Sequence, residues 1–171
     1  MSERPDWIHG RLPRLPGHNY TSTAGYFLTI NTWRRFPLFG GVHNGRVVLS
    51  RFGRIVEEEW LRTALLRPEI RLDSFILMPN HFHGIVHFTE EPVEHVGSRK
   101  CSSAAKLTRP ARSLGSLVAG FKASSARRIN IARAQPGAVV WQKNYYEHVI
   151  RNERELARIR QYIVNNPMKL S

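Results

Sequence analysis

The pattern of hydrophobic and polar positions along this chain has two periods, one typical of β-strands and one typical of α-helices. Three stretches carry apolar residues at helical spacing, and each follows a serine or asparagine that can cap a helix. Short runs rich in β-branched and aromatic residues separate these stretches and favour strands. The predicted strands are residues 25–32, 38–40, 46–49, 70–78, 81–88 and 138–150, and the predicted helices follow Ser50, Ser113 and Asn152 and end near residues 66, 131 and 166.

The order of these elements predicts an α+β fold with an antiparallel sheet. Asn44-Gly45 is a strong hairpin signal, and Pro79-Asn80 joins two long strands by a tight turn. Strands joined by tight turns pair antiparallel, and three amphipathic helices can cover the face and edges of such a sheet. The pattern therefore argues against a doubly wound α/β fold.

The domain organisation is simple. Residues 1–24 are rich in Pro, Gly, Arg and His without a clear period, and we predict that they form an N-terminal basic arm. Residues 25–171 are predicted to form a single domain, long enough to bury its own core. Within it, residues 90–112 are polar, basic and poor in pattern, so we predict a mobile loop there.

The chain is strongly basic. Its 171 residues include 26 Lys and Arg but only 13 Asp and Glu, which gives a formal net charge of +13. Such an excess favours a polyanionic partner, with nucleic acid as the default. No carboxylate occurs between Glu94 and Glu147, and a long stretch of one sign inside a folding domain favours a phosphate-binding surface over a solvated face. The candidate DNA-binding residues of this stretch are Arg99, Lys100, Arg109, Arg112, Lys122, Arg127, Arg128 and Lys143.

Cysteine usage and hydropathy predict a cytoplasmic protein. Cys101 is the only cysteine, which excludes an internal disulfide and a site built from several thiolates. The N-terminus has no apolar signal core, and no apolar stretch approaches the length of a membrane span. We therefore expect the chain to act in a reducing compartment, associated with the nucleoid.

Residues 81–83, His-Phe-His, lie in the most informative stretch of the chain. In a strand, His81 and His83 point to one face, about 7 Å apart, and the residues that alternate with them point into a core on the other face. Two imidazoles on one strand face can share a divalent metal ion. The same pattern also fits two polar histidines near a strand end.

Tyr162 and Asn166 lie four residues apart on the last predicted helix and therefore on one side of it. A tyrosine hydroxyl can attack a phosphodiester and form a covalent phosphotyrosine, which keeps the bond energy for rejoining. The Asn166 amide oxygen can add a third metal ligand beside the two histidines. Tyr162 also fits an amphipathic boundary residue with a solvated hydroxyl, because it lies at the edge of the apolar stripe.

Four segments, in order along nearly the whole chain, carry a resemblance to a known family. Residues 78–86, Met-Pro-Asn-His-Phe-His-Gly-Ile-Val, resemble the HUH motif region of the IS200/IS605-like single-tyrosine transposases. Residues 14–20, 141–151 and 161–167 resemble the subgroup called REP-associated tyrosine transposases. The metal motif alone is moderately specific, whereas the segments together are strongly specific.

The resemblance implies a ferredoxin-like antiparallel sheet with the histidine pair on a central strand. It implies an endonuclease and strand transferase with Mg²⁺ or Mn²⁺ as cofactor, acting on single-stranded DNA whose palindromic repeats fold as hairpins. Tyr162 is then the nucleophile that forms a 5′-phosphotyrosine and frees a 3′-OH, and His81, His83 and Asn166 are the metal ligands. Family members often carry glutamine as the third ligand, so the shorter asparagine departs from the family pattern.

Other residues and other functions stay open at this point. His87 shares the strand face of the histidine pair and His148 adjoins a carboxylate, and we interpret each as polar, structural or DNA-contacting rather than catalytic. Three aromatic residues of the last predicted strand fit either base stacking or core packing, namely Trp141, Tyr145 and Tyr146. The alternatives to a tyrosine transposase are a non-catalytic hairpin-binding protein and a metal-dependent nuclease that uses water, and the chain can be a monomer or a homodimer.

Overall fold

The computed structural model describes residues 25–89 and 113–167. The predicted N-terminal arm and the predicted loop of residues 90–112 lie outside the described residues, as do four candidate DNA-binding residues, Arg99, Lys100, Arg109 and Arg112. Within the described part of the chain, no helix is both long enough and apolar enough to cross a membrane.

An antiparallel sheet of four strands forms the centre of the structure. The strands and helices in chain order are β1 (Gly25–Asn31), β2 (Gly40–His43), β3 (Arg46–Leu49), α1 (Arg51–Leu66), β4 (Ile70–Met78), β5 (His81–Phe88), α2 (Leu114–Ala132), β6 (Tyr146–Ile150) and α3 (Glu153–Asn165). The spatial order of the main sheet is β4-β5-β1-β6, and all its neighbouring strands are antiparallel. Together, β1, α1, β4, β5, α2 and β6 have the ferredoxin-like order, to which α3 is added. The predicted α+β ferredoxin-like fold is confirmed.

The hairpin and helix starts are where the local sequence predicts them. Asn44 and Gly45 join β2 to β3 with φ angles of 50° and 69°, the positive values that an Asn-Gly hairpin turn uses. The Ser50 hydroxyl accepts hydrogen bonds from the first N–H groups of α1, at 3.2 and 3.1 Å. Ser113 caps α2, and Asn152 caps α3 with an N–H···O distance of 2.9 Å. Each side chain satisfies N–H groups that a helix start leaves unpaired.

The two faces of the sheet are covered by different helices. Helices α1 and α2 bury a large aromatic core on one face, where the Trp60 ring centroid lies 4.7 Å from that of Phe82 and 5.2 Å from that of Phe121. Helix α3 covers the opposite face with a smaller apolar cluster that consists of Phe27, Ile85, Leu156, Ile159 and Ile163. The smaller cluster leaves room for polar side chains on the α3 face.

The predicted last strand, residues 138–150, is wrong in extent, because β6 begins only at Tyr146. Before it, Trp141 forms an isolated bridge with Thr32 and is buried in the core, where its indole N–H donates to the Ser125 hydroxyl at 3.0 Å. The Lys122 ammonium donates to the carbonyls of residues 142–144. A side chain from α2 thus satisfies carbonyls that a neighbouring strand would otherwise pair.

Candidate active site

The two predicted metal-ligating histidines lie side by side on β5. The antiparallel register pairs His81 with Asn31 and His83 with Thr29, both on β1. The two imidazole centroids are 4.6 Å apart, and their planes meet at 75°. Both rings point to the α3 face, as strand alternation predicts, while Phe82 between them lies in the opposite core.

Hydrogen bonds fix the orientation of both imidazoles. The Asn80 side-chain oxygen lies 2.7 Å from His81 Nδ1, and since a carbonyl oxygen can only accept, Nδ1 carries the proton. The Thr29 hydroxyl lies 2.8 Å from His83 Nδ1. For His81 this leaves Nε2 as the nitrogen available for a metal ion, and such partners are known to orient metal-ligating histidines.

Burial keeps both imidazoles neutral. It lowers the pKa of His81 to about 4, with a smaller contribution from the positive charge of Arg35. Burial also lowers the pKa of His83 well below its usual value, and the charges of His81 and Arg35 add to that effect. Near neutral pH both rings are therefore uncharged, and an uncharged imidazole is the form that binds a metal ion.

Helix α3 brings Tyr162 to this histidine pair. The Tyr162 ring makes edge-on contacts with His83 and with Phe27, at centroid distances of 5.5 and 6.2 Å. Its side chain is half-buried beside the apolar cluster of the α3 face. From helical spacing alone, Tyr162 could also be a boundary residue with a solvated hydroxyl. The fold puts its phenol ring next to His83, a candidate metal ligand.

Asn166 caps the C-terminal end of α3, one turn beyond Tyr162. Asn166 is buried. The first turn of α3 lies near Gly25 and Tyr162 lies near His83, so α3 runs along the sheet from the Gly25 end of β1 towards the His81 end. Asn166 therefore lies at the same end of the sheet as the histidines. Its contact with a metal ion stays a prediction.

Away from His81 and His83, ion pairs attach α3 to the rest of the fold. The Arg160 guanidinium on α3 donates to both oxygens of Asp73 on β4, at 3.0 and 2.6 Å. His87 Nε2 lies 3.0 Å from the same carboxylate. At the other end of α3, His148 Nε2 lies 2.7 Å from Glu155. His87 and His148 thus each have a carboxylate partner within the fold, as a structural role predicts.

The donor set fits a divalent metal ion through nitrogen and oxygen atoms. Among the described residues, no group of three or more His, Cys, Asp and Glu side chains could hold a metal ion. A metal ion at this place would take two imidazole nitrogens from His81 and His83, and its remaining positions would fall to oxygen atoms from the Asn166 amide, water or a phosphate. Such mixed ligation with open positions is typical of catalytic rather than structural metal sites.

Two of the described DNA-binding candidates make contacts within the protein. Lys122 donates to the carbonyls of Lys143 and Asn144, at 3.2 and 3.4 Å. Arg128 bridges α2 to α1 by pairing with two carboxylates, Glu58 at 2.5 Å and Glu59 at 2.9 Å. The other two candidates, Arg127 and Lys143, are exposed. The DNA-binding role of all four stays a prediction.

Sequence reasoning missed three residues that the fold brings to the histidines, namely Thr29, Asn80 and Arg35. Thr29 could be found only through the β1–β5 register, which joins positions 54 residues apart. Asn80 is the residue before His81, so a contact between their side chains could have been predicted from the sequence. Arg35 lies in a short 3₁₀ turn, Trp33–Arg35, which follows the end of β1 opposite His81. No local pattern indicates that position.

Comparison with known proteins adds the family and the fold. No protein-family model matches the chain. A protein of Haemophilus influenzae strain Rd, described only as uncharacterised, is 37% identical over 164 residues, which cover 94% of this chain and 89% of that protein. The two chains belong to one protein family.

Two solved structures are similar to this chain, and one of them supports its fold. A REP-associated tyrosine transposase bound to a REP hairpin superimposes with a TM-score of 0.60 and 19% identity, over 90% of this chain and 72% of that chain. A candidate transposase from Deinococcus radiodurans R1 matches with a TM-score of 0.46 and 21% identity, over 87% of this chain and 95% of that chain, and this second likeness carries no argument. The chain thus has the fold of a REP-associated tyrosine transposase, which confirms at the level of fold the resemblance that the motifs carry.

Proposed function

We propose that this protein is a metal-dependent endonuclease and strand transferase for single-stranded DNA, which acts at hairpin-forming palindromic repeats through a 5′-phosphotyrosine on Tyr162. The observation that carries the proposal is the contact between Tyr162 and His83, beside His81. A pure DNA-binding protein has no use for a phenol packed against one of two neighbouring, neutral imidazoles. The matched fold and the net charge of +13 support a DNA substrate.

The reaction needs one nucleophile and one leaving group. The Tyr162 hydroxyl oxygen forms a bond to the phosphorus, the bond from phosphorus to the 3′-oxygen breaks, and the phenolic proton is balanced by the proton that the 3′-oxygen gains. The products are a 5′-phosphotyrosine and a free 3′-OH, and the reverse attack by a 3′-OH rejoins DNA. A divalent metal bound by His81 and His83 would supply Lewis-acid polarisation of the phosphate. Asn80 and Thr29 hold the imidazoles in position for that ligation.

Tyr146 is the other candidate nucleophile on the α3 face and can be compared directly with Tyr162. It also packs against the apolar cluster of the α3 face, but the register puts β1 between it and His83, about 10 Å across the sheet. Burial raises the pKa of the Tyr146 phenol, which disfavours the phenolate. Its backbone is also fixed in β6, whereas Tyr162 is on a helix at the edge of the fold. Tyr162 is therefore the better nucleophile.

A suicide oligonucleotide tests the proposal. A palindromic hairpin with single-stranded flanks, incubated with Mn²⁺ or Mg²⁺, should give a covalent protein–DNA adduct on a denaturing gel, and peptide mapping should locate it on Tyr162. Tyr162→Phe should remove the adduct and keep hairpin binding, and Tyr146→Phe is the matched control that should keep both. An adduct that survives in Tyr162→Phe would contradict the assignment, and cleavage without any adduct would favour a nuclease that uses water.

Metal removal tests the role of the histidines separately. Chelation, His81→Ala and His83→Ala should each abolish cleavage and leave most DNA binding, because phosphate contacts supply most of the affinity. We expect Mn²⁺ to restore activity better than Mg²⁺, since imidazole nitrogen suits Mn²⁺ better than the harder Mg²⁺ ion. Full cleavage in EDTA would exclude the metal assignment.

A further inference from the structure

The chain that follows β1 leaves the sheet beside the histidine pair. Because β1 and β5 are antiparallel, the end of β1 meets the start of β5, and Asn31 pairs with His81. The next residue, Thr32, is buried, and its N–H and hydroxyl lie 3.0 and 2.9 Å from the Asn80 carbonyl. The Asn80 side chain accepts the hydrogen bond from His81 Nδ1. One residue thus anchors both a candidate metal ligand and the chain that follows β1.

Residues 33–36, which we name the Arg35 turn, have an unusual backbone. Arg34 and Arg35 have φ angles of 52° and 55°, in the left-handed region that favours glycine. The Arg35 N–H donates to the Thr32 carbonyl at 3.1 Å, which ties the turn to its buried anchor. Strained backbone of this kind persists only where the surroundings fix it, and it concentrates at functional sites.

The side chains of the Arg35 turn are turned to solvent rather than into the core. Trp33 is 46% exposed and Phe36 is 65% exposed. The Arg34 guanidinium lies over the Trp33 ring, 5.7 Å from its centroid. Exposed aromatic rings next to arginines are the combination with which proteins hold single-stranded nucleic acid, since the rings stack on bases and the cations pair with phosphates.

Arg35 is tied by its backbone to the end of the sheet that carries the candidate site. Its N–H donates to the carbonyl of Thr32, which follows Asn31, the β1 partner of His81. Its side chain is exposed, so a phosphate held between the histidines and Tyr162 would lie at the same end of the sheet as this guanidinium. Guanidinium groups pair with phosphate oxygens through two parallel hydrogen bonds.

We propose that the Arg35 turn binds unpaired DNA, with Arg35 on the phosphate that is cleaved and with Trp33 and Phe36 stacked on the bases beside it. The identity of that phosphate rests on the proposed function, whereas the binding itself does not require cleavage. The rival occupant of exposed rings is a second copy of this chain. Two such turns, each with two arginines and on chains of net charge +13, would repel each other, so charge favours the polyanion.

The first test measures the affinity for a hairpin oligonucleotide with single-stranded flanks, in EDTA and over a range of salt concentrations. Arg35→Ala should reduce the slope of log affinity against log salt by about 0.7, the value of one phosphate contact on a single strand. Arg35→Lys should restore most of that slope, because the charge is kept. Arg62→Ala removes an exposed arginine about three turns beyond the start of α1, which packs against residues 38 and 39, and it should leave the slope unchanged.

The second test removes the rings and uses 2-aminopurine at successive flank positions as the probe. Trp33→Ala or Phe36→Ala should weaken binding about 5- to 150-fold, the loss of one stacked base, and should remove fluorescence quenching at one flank position. Leu65→Ala is the matched control, because Leu65 is 60% exposed on α1. Its affinity and its quenching pattern should equal those of the wild-type protein.

The variant Arg35→Gly separates DNA binding from a structural role. Glycine adopts the left-handed conformation without strain, so this variant should have a higher Tm than the wild-type protein. It should nevertheless bind DNA as weakly as Arg35→Ala does. A lower Tm with an unchanged salt slope would overturn the proposal.

Other outcomes distinguish the failure of this inference from the failure of the proposed function. Unchanged binding in the Arg35→Ala, Trp33→Ala and Phe36→Ala variants would overturn the inference even if Tyr162 forms the adduct. A change in sedimentation for Trp33→Ala without weaker DNA binding would assign the surface to a protein interface and overturn it too. If the wild-type protein forms no adduct, the proposed function fails, and the binding measurements still decide on the Arg35 turn.

Discussion

The two faces of the four-stranded sheet are both covered by helices, but they carry different chemistry. The face under α1 and α2 is a continuous core that includes a connected set of aromatic rings, namely Trp60, Phe82, Phe121 and Trp141. The face under α3 has a small apolar cluster at its centre and, at the His81 end, the polar side chains of His81, His83, Tyr162 and Asn166.

This difference suggests a division of roles, in which one face of the sheet mainly stabilises the fold and the other carries the candidate active site. Burial of large rings is strongly stabilising, so the face under α1 and α2 should contribute more stability than the other face. The face under α3 also buries neutral imidazoles and a phenol, and the burial of such polar groups costs free energy. Helix α3 is held by its apolar cluster and by peripheral pairs such as Arg160 with Asp73. Substitutions on the two faces should therefore separate stability from activity.

The largest expected effect is on the aromatic core. Trp60→Ala should lower the free energy of unfolding by about 3–5 kcal/mol, since Trp60 is fully buried between Phe82 and Phe121. Leu61→Ala at the next position should change it by less than about 0.5 kcal/mol, because Leu61 is 51% exposed. Urea unfolding of the two variants measures the difference. A loss below about 1 kcal/mol for Trp60→Ala would show that this face does not dominate stability.

The next largest effect is expected on replacing two glycines by alanine, which should change the stability of the protein in opposite directions. A Cβ at Gly84 would lie 2.6 Å from the Phe82 ring and 3.1 Å from the Trp60 ring, so Gly84→Ala should cost about 1–3 kcal/mol. A Cβ at Gly120 on α2 would meet no atom within 4 Å, and Gly120→Ala should stabilise the protein by about 0.5–1 kcal/mol. Thermal unfolding should move the two Tm values in opposite directions. Equal shifts would contradict the tight packing at Gly84.

A smaller effect is expected at the attachment of α3, and it depends on pH. The hydrogen bonds from Arg160 hold the pKa of the Asp73 carboxyl well below its usual range. A depressed folded-state pKa adds stability above the unfolded value of about 3.9, and that stability is lost as the pH falls below it. Arg160 is 45% exposed, so Arg160→Ala should cost only about 1 kcal/mol at pH 7.

The measurement for this pair is the difference in unfolding free energy between the wild-type protein and Arg160→Ala at several pH values. That difference should shrink on acidification below about pH 4, because the Asp73 carboxyl then takes up a proton in the unfolded chain before it does so in the folded protein. Arg158→Ala is the control, since Arg158 is an exposed arginine on the same helix. A difference that stays constant from pH 7 to pH 3 would contradict the role of the Asp73 carboxylate.

The smallest effect on stability is expected at the residue with the largest effect on activity. Tyr162→Phe keeps the ring that contacts Phe27 and His83 and removes only the hydroxyl of a half-buried side chain. Its free energy of unfolding should change by less than about 1 kcal/mol, while the DNA adduct is lost. Unfolding curves and adduct gels on the same preparation test both statements. A variant that loses its adduct because it unfolds would break the separation of the two faces.

The local features of this protein were determined by its sequence. Ser50, Ser113 and Asn152 cap the three helices as predicted, because a cap involves only a few consecutive residues. Strand alternation was enough to put His81 and His83 on one face, since that parity is a property of the extended backbone. The element order also predicted the α+β fold with its antiparallel sheet, through the tight turns between strands.

Only the tertiary structure decided which distant groups meet. The β1–β5 register pairs Thr29 with His83, the packing of α3 brings Tyr162 to the same ring, and a side chain from α2 shortens the last strand by binding its carbonyls. Arg128, predicted as a DNA contact within a carboxylate-free stretch, pairs with two carboxylates of α1 instead of lying alone. These outcomes depend on contacts between residues that are 20 to 79 positions apart along the chain. Local periodicity carries no information about such register and packing.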